Sequence, residues 1–329
     1  MYDSRRLEPQ PHQRYRGRFA PSPTGPLHLG SLYTALASFI QARSKAGEWL
    51  LRIDDLDPDR SVPAAADAIK RTLERFGLFW DGEAVSQRDR ADRYQQAFER
   101  LRHQGLVYDC RCSRRLLTGQ AVYPGYCRVR RPSEQNTAHA VRIRAADTVI
   151  HFTDRLRGAI AHDLARQTGD FIVRRRDGVF AYHLATVVDD AAAGISEVLR
   201  GADLLDSTPR QIYLQQSLNL PTPAYCHTPI LLDADGEKLS KQTLAAPVRD
   251  ENPGATLCLL LRLLRQQPPA DLDGAEPAEI LGWAVNHWNI TALSQVTAIA
   301  VAGGREPLSA PRNTPTSRRH AASAVSAKR

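Results

Sequence analysis

Short apolar runs and amphipathic stretches alternate along the first hundred residues. The run at 16–20 reads as a strand, 28–46 as an amphipathic helix and "EWLLRID" (48–54) as a second strand, with helices following at 63–77 and 89–104. Strands separated by helices predict a parallel α/β sheet. Between 106 and 170 the rhythm breaks into clustered cysteines, Arg-rich loops and short alternating runs such as "HAVRIRA", the pattern of an insertion. The α/β pattern resumes in "DFIVRRRDGVFAYHLATVVDDAAAGISEVLRG", which mixes strands and a turn. A helix at 209–218, a Gly- and Asp-bearing loop at 228–245 and helices near 255–266 and 276–288 follow. The expected division is a flexible start (1–13), a first sheet half (14–105), the insertion (106–170), a second half (171–246), a helical region (247–304) and a disordered basic tail (305–329).

Composition adds a compartment and a partner. The chain is 42% hydrophobic and 24% charged, with no run approaching the ~18 apolar residues of a membrane span and no secretory-type apolar start. A soluble, cytoplasmic protein is expected. Net charge is +8, and the basic residues crowd both ends of the chain, which favours a polyanionic partner. Of the 44 Lys and Arg, only five are Lys, and two of these, Lys238 and Lys241, stand three apart in "GEKLSKQ". Where an arginine fork would serve, this chain uses one, so paired lysines point to compact, mobile ammonium groups.

The stretch "PSPTGPLHLGSLYTALASF" (21–39) joins the first strand to the first helix. Pro21, Pro23 and Pro26 stiffen the loop, and Gly25 supplies a conformation other residues avoid. The amides opening the helix lack partners and carry partial positive charge, a ready anion site, with His28 at its mouth. Gly30, inside the first turn, costs about 1 kcal/mol against Ala and leaves bare backbone on which a flat ligand can pack. The loop matches neither the P-loop nor the dinucleotide-binding glycine spacing.

Five cysteines in a chain of this size do not suggest a disulfide framework. Cys110 and Cys112 stand closer than the cysteines of a usual zinc knuckle, and Cys127 supplies a third thiolate. By pattern alone the fourth position is open among Cys226, His103, His139 and Tyr123. Cys226 and Cys258 otherwise read as small buried hydrophobes.

These residues carry a resemblance. "PSPTGPLHLGS" resembles the HIGH signature of class I aminoacyl-tRNA synthetases, with His28, Leu29, Gly30 and Ser31 in its place. "KLSKQ" (238–242) resembles the partner KMSKS loop; Ser31 and Gln242 depart from the family's last His and last Ser. The resemblance implies an α/β, Rossmann-type parallel sheet split by an insertion and followed by a small helical region. It implies that ATP, with Mg²⁺, binds at Thr24, His28, Gly30 and Ser31, that Lys241 stabilises the departing pyrophosphate, and that Lys238 assists. Ser31 keeps a hydrogen-bonding group at the helix start. Phosphoryl and nucleotidyl transfers depend chiefly on positioning and on neutralising developing charge, which such groups supply.

"GRFAPSPTG" followed by "LRIDDLD" is similar to glutamyl-tRNA synthetases in particular. That likeness places Arg18, Phe19, Ala20, Pro21, Ser22, Asp54, Tyr182 and Arg200 at L-glutamate. Arg18 and Arg200 suit bidentate carboxylate recognition, Asp54 the ammonium, and Tyr182 a phenolic hydrogen bond. Asp189 and Asp190 in "VVDD" are expected to orient loops or local backbone rather than act as acid or base. The cysteine segment resembles glutamyl-queuosine tRNA(Asp) synthetases, whose C-x-C, Tyr and last Cys imply Cys110, Cys112, Tyr123 and Cys127 as ligands of one structural zinc. Only 87 residues follow Gln242, too few for a large anticodon-binding domain and as expected for a catalytic core alone. The resemblance then implies a monomer that activates glutamate without RNA and transfers it to queuosine at the wobble position of tRNA(Asp). RNA is expected to approach a basic face near the insertion through phosphate contacts. Two other readings stay open on sequence: a shortened glutamyl-tRNA synthetase charging the acceptor end, and a non-catalytic zinc-bearing RNA-binding paralogue.

Overall fold

The computed structural model describes residues 14–129, 139–233, 235–239 and 252–301. The tails at 1–13 and 305–329, and Lys241 with Gln242, lie outside the described residues. Strand β1 (Arg16–Phe19) leads through helix α1 (Leu29–Ser44) to β2 (Glu48–Ile53), which pairs with β1 in parallel from Arg16↔Glu48 to Phe19↔Leu51. Helix α2 (Pro63–Arg75) then delivers β3 (Val85–Ser86) to the far side of β2, also in parallel, before α3 (Ala91–His103). Helix α1 is apolar almost all round because both of its sides are covered: Leu32, Leu36, Ala37 and Ile40 are fully buried, as the period of a central rather than surface helix requires.

Strands β4 (Val107–Cys110), β5 (Ala140–Ile143) and β8 (Phe171–Arg174) form an antiparallel sheet of order β4-β5-β8. The hairpin β6 (Val149–Asp154) and β7 (Gly158–Asp163) does not join it. Instead Asp154 of β6 pairs in parallel with Tyr225 of β10 (Ala224–Thr228). Helix α4 (Tyr182–Ala192) leads to β9 (Glu197–Gly201), and α5 (Thr208–Ser217) crosses from β9 to β10, with Arg200 opposite His227. Just ahead of β9, Ser196 bridges the two halves: its N–H donates to the Arg16 carbonyl at 2.9 Å, and its hydroxyl accepts from the Arg16 N–H at 2.8 Å. The parallel strands therefore run β3-β2-β1-β9-β10, with the functional loops at their carboxyl ends.

After β11 (Ile230–Leu232), helices α6 (Pro253–Leu263) and α7 (Pro277–Asn286) precede β12 (Ala298–Ala300), which pairs with β11 in parallel. Leu260, Leu261, Ile280 and Leu293 from this region share one core with α1 and Trp49. A second core lies around Phe98, Ile143, Val173, Leu184 and Leu214.

One element departs from expectation. Residues 171–201 read as strands and a turn, yet α4 occupies Tyr182–Ala192. Thr186, Val187 and Val188 favour strands by local preference, and burial from Leu184 to Val187 and again at Asp189 and Asp190 erases the polar stripe that advertises a helix. Packing decided this element, not propensity.

Candidate active site

At the carboxyl ends of β1 and β9 a cavity of about 520 Å³ opens between the prolyl loop, the start of α1 and the hairpin after β11. The prolyl loop is pinned through its own carbonyls: Pro21 accepts from the Asp54 N–H at 2.9 Å, Pro23 from the Val62 N–H at 2.8 Å. Gly25 bends it at φ +147°, a conformation strained for any L side chain. Pro21, Ser22 and Thr24 then line the cavity beside Phe19 and Ala20.

His28 is the N-cap of α1. Its Nδ1 accepts from the Ser31 N–H at 3.2 Å, which leaves the ring proton on Nε2, 2.9 Å from Ser31 Oγ. His28, Gly30 and Ser31 all face the cavity. A Cβ on Gly30 would stand 3.2 Å from the His28 ring and 3.2 Å from the Leu239 carbonyl. The bare backbone of Gly30 thus accommodates the neighbouring lysine hairpin as well as leaving room in the cavity. That hairpin is built by Asp233, whose Oδ1 accepts from the Asp235 and Glu237 N–H groups at 3.0 and 2.9 Å, and by Gly236 at φ +80°. It returns Lys238 to the cavity, where its ammonium meets Asp203 Oδ2 at 2.6 Å.

Arg18, Tyr182 and Arg200 converge in the same cavity. Arg200 is not the bidentate fork that the sequence suggested. Its Nε donates to His227 Nε2 at 3.0 Å, and its Nη2 to the Leu204 carbonyl at 3.2 Å and to Thr208 Oγ1 at 2.9 Å. Five donors minus these three leaves the Nη1 pair, 3.5 Å from the Tyr182 hydroxyl. Arg18 turns its Nε and Nη2 toward Asp190, at 3.3 Å each, and keeps its outer edge for the cavity.

Asp189 and Asp190, expected to orient loops or local backbone rather than act as acid or base, are buried counter-ions that hold side chains of other segments. Asp190 holds Arg18 and, at 2.6 Å, Arg52 Nη1. Asp189 Oδ2 accepts from Gln87 Nε2 at 2.7 Å and from the Tyr94 hydroxyl at 2.8 Å. Their spacing on a helix, invisible while α4 reads as strand, is what aims them at arginines. Burial works to raise the Asp190 carboxyl, but Arg18 and Arg52 outweigh it and hold it below its ordinary value. Asp54 lies on the other side of this network, paired to Arg52 Nε at 2.7 Å, and there burial wins and pushes its carboxyl up.

Asp54 faces a second cavity, of about 650 Å³, which abuts the first and shares Ser22, Arg60 and Tyr182 with it. Four arginines, Arg60, Arg142, Arg175 and Arg210, line this cavity beside three aspartates, Asp54, Asp57 and Asp170, and Phe180 gives it an aromatic wall. Two lining atoms, Asp57 Oδ1 and His183 Nδ1, are buried without a hydrogen-bond partner, the state of groups whose partner is a ligand or water. Sequence reading named Ser22, Asp54, Tyr123 and Tyr182 of this lining but missed Arg142, Arg175, Arg210, Asp57 and His183. Their signal is tertiary, because segments more than a hundred residues apart supply them.

Cys110, Cys112 and Cys127 place their sulfurs within 4.8 Å of one another. The Tyr123 hydroxyl lies 3.5 Å from Cys110 Sγ and 3.4 Å from Cys112 Sγ, and accepts from the Cys127 N–H at 2.9 Å. His103, His139 and Cys226 are not in this metal-competent group; Cys226 and Cys258 are buried elsewhere, in the core around α1. The Cys112–Cys127 separation of 3.6 Å is close to the ~3.8 Å edge of a tetrahedron with metal–sulfur bonds of about 2.3 Å. Arg142 backs the cluster, its Nε 3.2 Å from Cys110 Sγ and its guanidinium 3.9 Å above the Tyr123 ring. The donor set suits a zinc ion.

A parallel sheet with a capped helix and a lysine hairpin meeting over one cavity defines a class I synthetase core, and the chain belongs to that family. Residues 14–121 and 126–262 match the model described as tRNA synthetases class I (E and Q), catalytic domain. More particularly, the chain is 54% identical over 294 residues to the glutamyl-Q tRNA(Asp) synthetase of Methylococcus capsulatus, covering 89% of this chain and 97% of that protein. It is 49% identical over 294 residues to the protein of the same name from Ectopseudomonas mendocina, covering 88% and 98%. Among solved structures, the glutamate-tRNA synthetase of Elizabethkingia anophelis superposes with a TM-score of 0.75 at 25% identity, over 88% of this chain and 68% of that one. Among the described residues, no helix is long and apolar enough to cross a membrane.

Proposed function

We propose that the protein activates L-glutamate with ATP and transfers the glutamyl group to queuosine at the wobble position of tRNA(Asp). What carries this reading is the pair of abutting cavities sharing Ser22, Arg60 and Tyr182, in a chain that spans 97% of a relative named for that reaction. The first cavity is the site of adenylate formation. Arg18, the Nη1 of Arg200 and the Tyr182 hydroxyl bind the glutamate carboxylates, and Asp54, which lines the adjoining second cavity, takes the ammonium. His28 and the first amides of α1 hold the phosphates of ATP. A carboxylate oxygen of glutamate attacks the α-phosphorus, the bond to the bridging oxygen breaks, and pyrophosphate leaves toward Lys238 and Lys241. Mg²⁺ accompanying ATP would neutralise part of that charge. In the second step a hydroxyl of the nucleoside's cyclopentene-diol attacks the activated carbonyl, the bond from that carbon to the phosphate oxygen breaks, and the hydroxyl proton passes to the departing AMP phosphate. The second cavity, with its arginines and aromatic wall, is suited to that nucleoside, since stacking and phosphate contacts are how proteins hold unpaired nucleotides. No side chain need become a covalent intermediate; proximity and aligned donors suffice.

The deciding experiment incubates the protein with ATP, labelled glutamate and queuosine-bearing tRNA(Asp), then digests the RNA to nucleosides. Label on the modified anticodon nucleoside is expected. Label only as a 3′-terminal ester overturns the reading in favour of acceptor-end charging, and absence of any adenylate favours a binding paralogue.

Zinc held by Cys110, Cys112, Tyr123 and Cys127 would order the loops after β4, a segment with few apolar residues of its own to bury. Burial and the neighbouring thiols push the Tyr123 phenol up, so binding as a phenolate would release its proton to solvent as the metal takes the oxygen lone pair. Tyr123→Phe is expected to weaken zinc retention on the order of 10–100-fold, read by metal analysis against a competing chelator. Equal retention in both proteins removes Tyr123 from the set.

A further inference from the structure

Three neighbouring strands each contribute one buried polar side chain to a single line. Arg200 of β9 stands opposite His227 of β10, and Asp154 of β6 pairs with the same strand at Tyr225. The side chains of Asp154 and His227 are both 0% exposed. His227 Nδ1 lies 2.7 Å from Asp154 Oδ2, and its Nε2 lies 3.0 Å from Arg200 Nε. Arginine can only donate, so Nε2 must carry the lone pair and Nδ1 the proton. The carboxylate of Asp154 thus selects the one tautomer that can accept from Arg200.

Asp154 is itself fixed. Its Oδ1 accepts from the Leu156 and Arg157 N–H groups at 3.0 Å each, where the chain turns between β6 and β7. The Tyr225 and His227 rings stack at 6.2 Å, and the Arg200 guanidinium lies 5.6 Å from the Tyr225 ring centroid. Burial holds His227 below its ordinary pKa although Asp154 pulls the other way, so the ring stays neutral as the geometry demands. A second proton on Nε2 would set one N–H against another.

We infer that Asp154 and His227 are positioning residues that hold Arg200 with its Nη1 edge toward the glutamate carboxylate. The inference rests on the reading of Arg200 as a glutamate-binding group. Three of the five Arg200 donors are spent on internal acceptors, and His227 supplies the one that fixes the angle of the guanidinium about its Nε. Without it the guanidinium keeps its charge but loses its aim, and glutamate binding weakens while the ATP contacts stay as they are.

Two amides separate this from mere filling of a buried space. In His227→Asn the side-chain amide sits where Nδ1 does, able to donate to Asp154 but too short to accept from Arg200. In His227→Gln the longer side chain carries its oxygen to where Nε2 does and restores the acceptor. The measurement is glutamate-dependent ATP–pyrophosphate exchange, with KM for glutamate and for ATP determined separately and melting temperatures recorded. His227→Asn is expected to raise the glutamate KM about tenfold, the scale of one charge-assisted hydrogen bond, with the ATP KM within twofold; His227→Gln recovers most of the loss. Thr208→Val, which deletes a second internal acceptor, raises the glutamate KM severalfold by the same route and serves where His227→Asn fails to fold. The inference is overturned by equal effects of Asn and Gln, by parallel rises in both KM values, or by an unchanged glutamate KM. Arg200→Ala is the control. If it leaves the glutamate KM unchanged, the assignment of Arg200 fails first; if it raises that KM while the His227 and Thr208 variants do not, only the positioning role fails.

Discussion

Asp190→Asn is expected to cost about 3–5 kcal/mol of folding stability, the scale of breaking a buried ion pair from one side. Asp190 is only 4% exposed and answers two arginines at once, Arg18 through Nε and Nη2 and Arg52 through Nη1. An amide of the same shape offers one acceptor and turns two donors toward guanidinium groups that cannot accept. Arg52 keeps Asp54 at 2.7 Å and Asp189 at 3.8 Å, so Arg18 suffers most, and with it the first cavity. Denaturant titration measures the loss; a change under 1 kcal/mol would mean that the network relaxes around the substitution. The same carboxyl sets a direction with pH. Arg18 and Arg52 overcome burial and depress it, so its contribution is whole above the ordinary carboxylate value of about 3.9 and is lost as pH falls through the lower folded value. Asp54, raised by burial, opposes this, because protonation relieves its buried charge. The acid limb of the stability curve should therefore be flatter in Asp190→Asn than in the parent.

Lys241→Ala should lower ATP–pyrophosphate exchange by about 10²–10³, the usual cost of removing one aligned group that stabilises transition-state charge. Lys238 lines the first cavity, and the Leu239 carbonyl rests beside Gly30 at the mouth of α1. A lysine two residues beyond Leu239, on a long flexible stem, can bring a compact ammonium to phosphates held at that mouth. Its partner role differs from that of Lys238, whose ammonium is engaged by Asp203 at 2.6 Å. Equilibrium binding of glutamate alone should be unaltered in Lys241→Ala, because the loss falls on a step that begins only as pyrophosphate departs. Exchange within threefold of the parent would remove Lys241 from the mechanism.

What could be read from the chain was whatever repeats locally. The strand, prolyl loop and helix from Arg16 to Ser44 announce themselves by period and by proline and glycine; so do α2, α3, α5, α6 and α7. The metal-competent cysteines were legible because they lie within eighteen residues of one another. Helix α4 was not, since a helix buried on most sides and rich in β-branched residues has no polar stripe to betray it. Nor were the partners of the arginines. Nothing near Arg200 in sequence names His227 or Asp154, and nothing near Arg18 names Asp190, 172 residues away. The resemblance brought Arg18, Ser22, Tyr182 and Arg200 to one site without saying which of their donors were already spoken for. Only the fold, by setting strand beside strand, decides that.

Glu197, at the head of β9, receives the Tyr15 hydroxyl at 2.9 Å, Gln41 Nε2 at 2.8 Å and Arg155 Nε at 2.8 Å. Gln41 in turn accepts from the Trp288 indole N–H at 2.7 Å, just past α7. The last helices are therefore a buttress rather than an annex: they lean on α1, and α1 is capped by His28 at the first cavity. An appended module can be exchanged, lengthened or shed in evolution with little consequence for the chemistry beside it. This one is tied in, because Trp288 bonds Gln41 of α1, a helix of 16 residues whose opposite end is capped by His28.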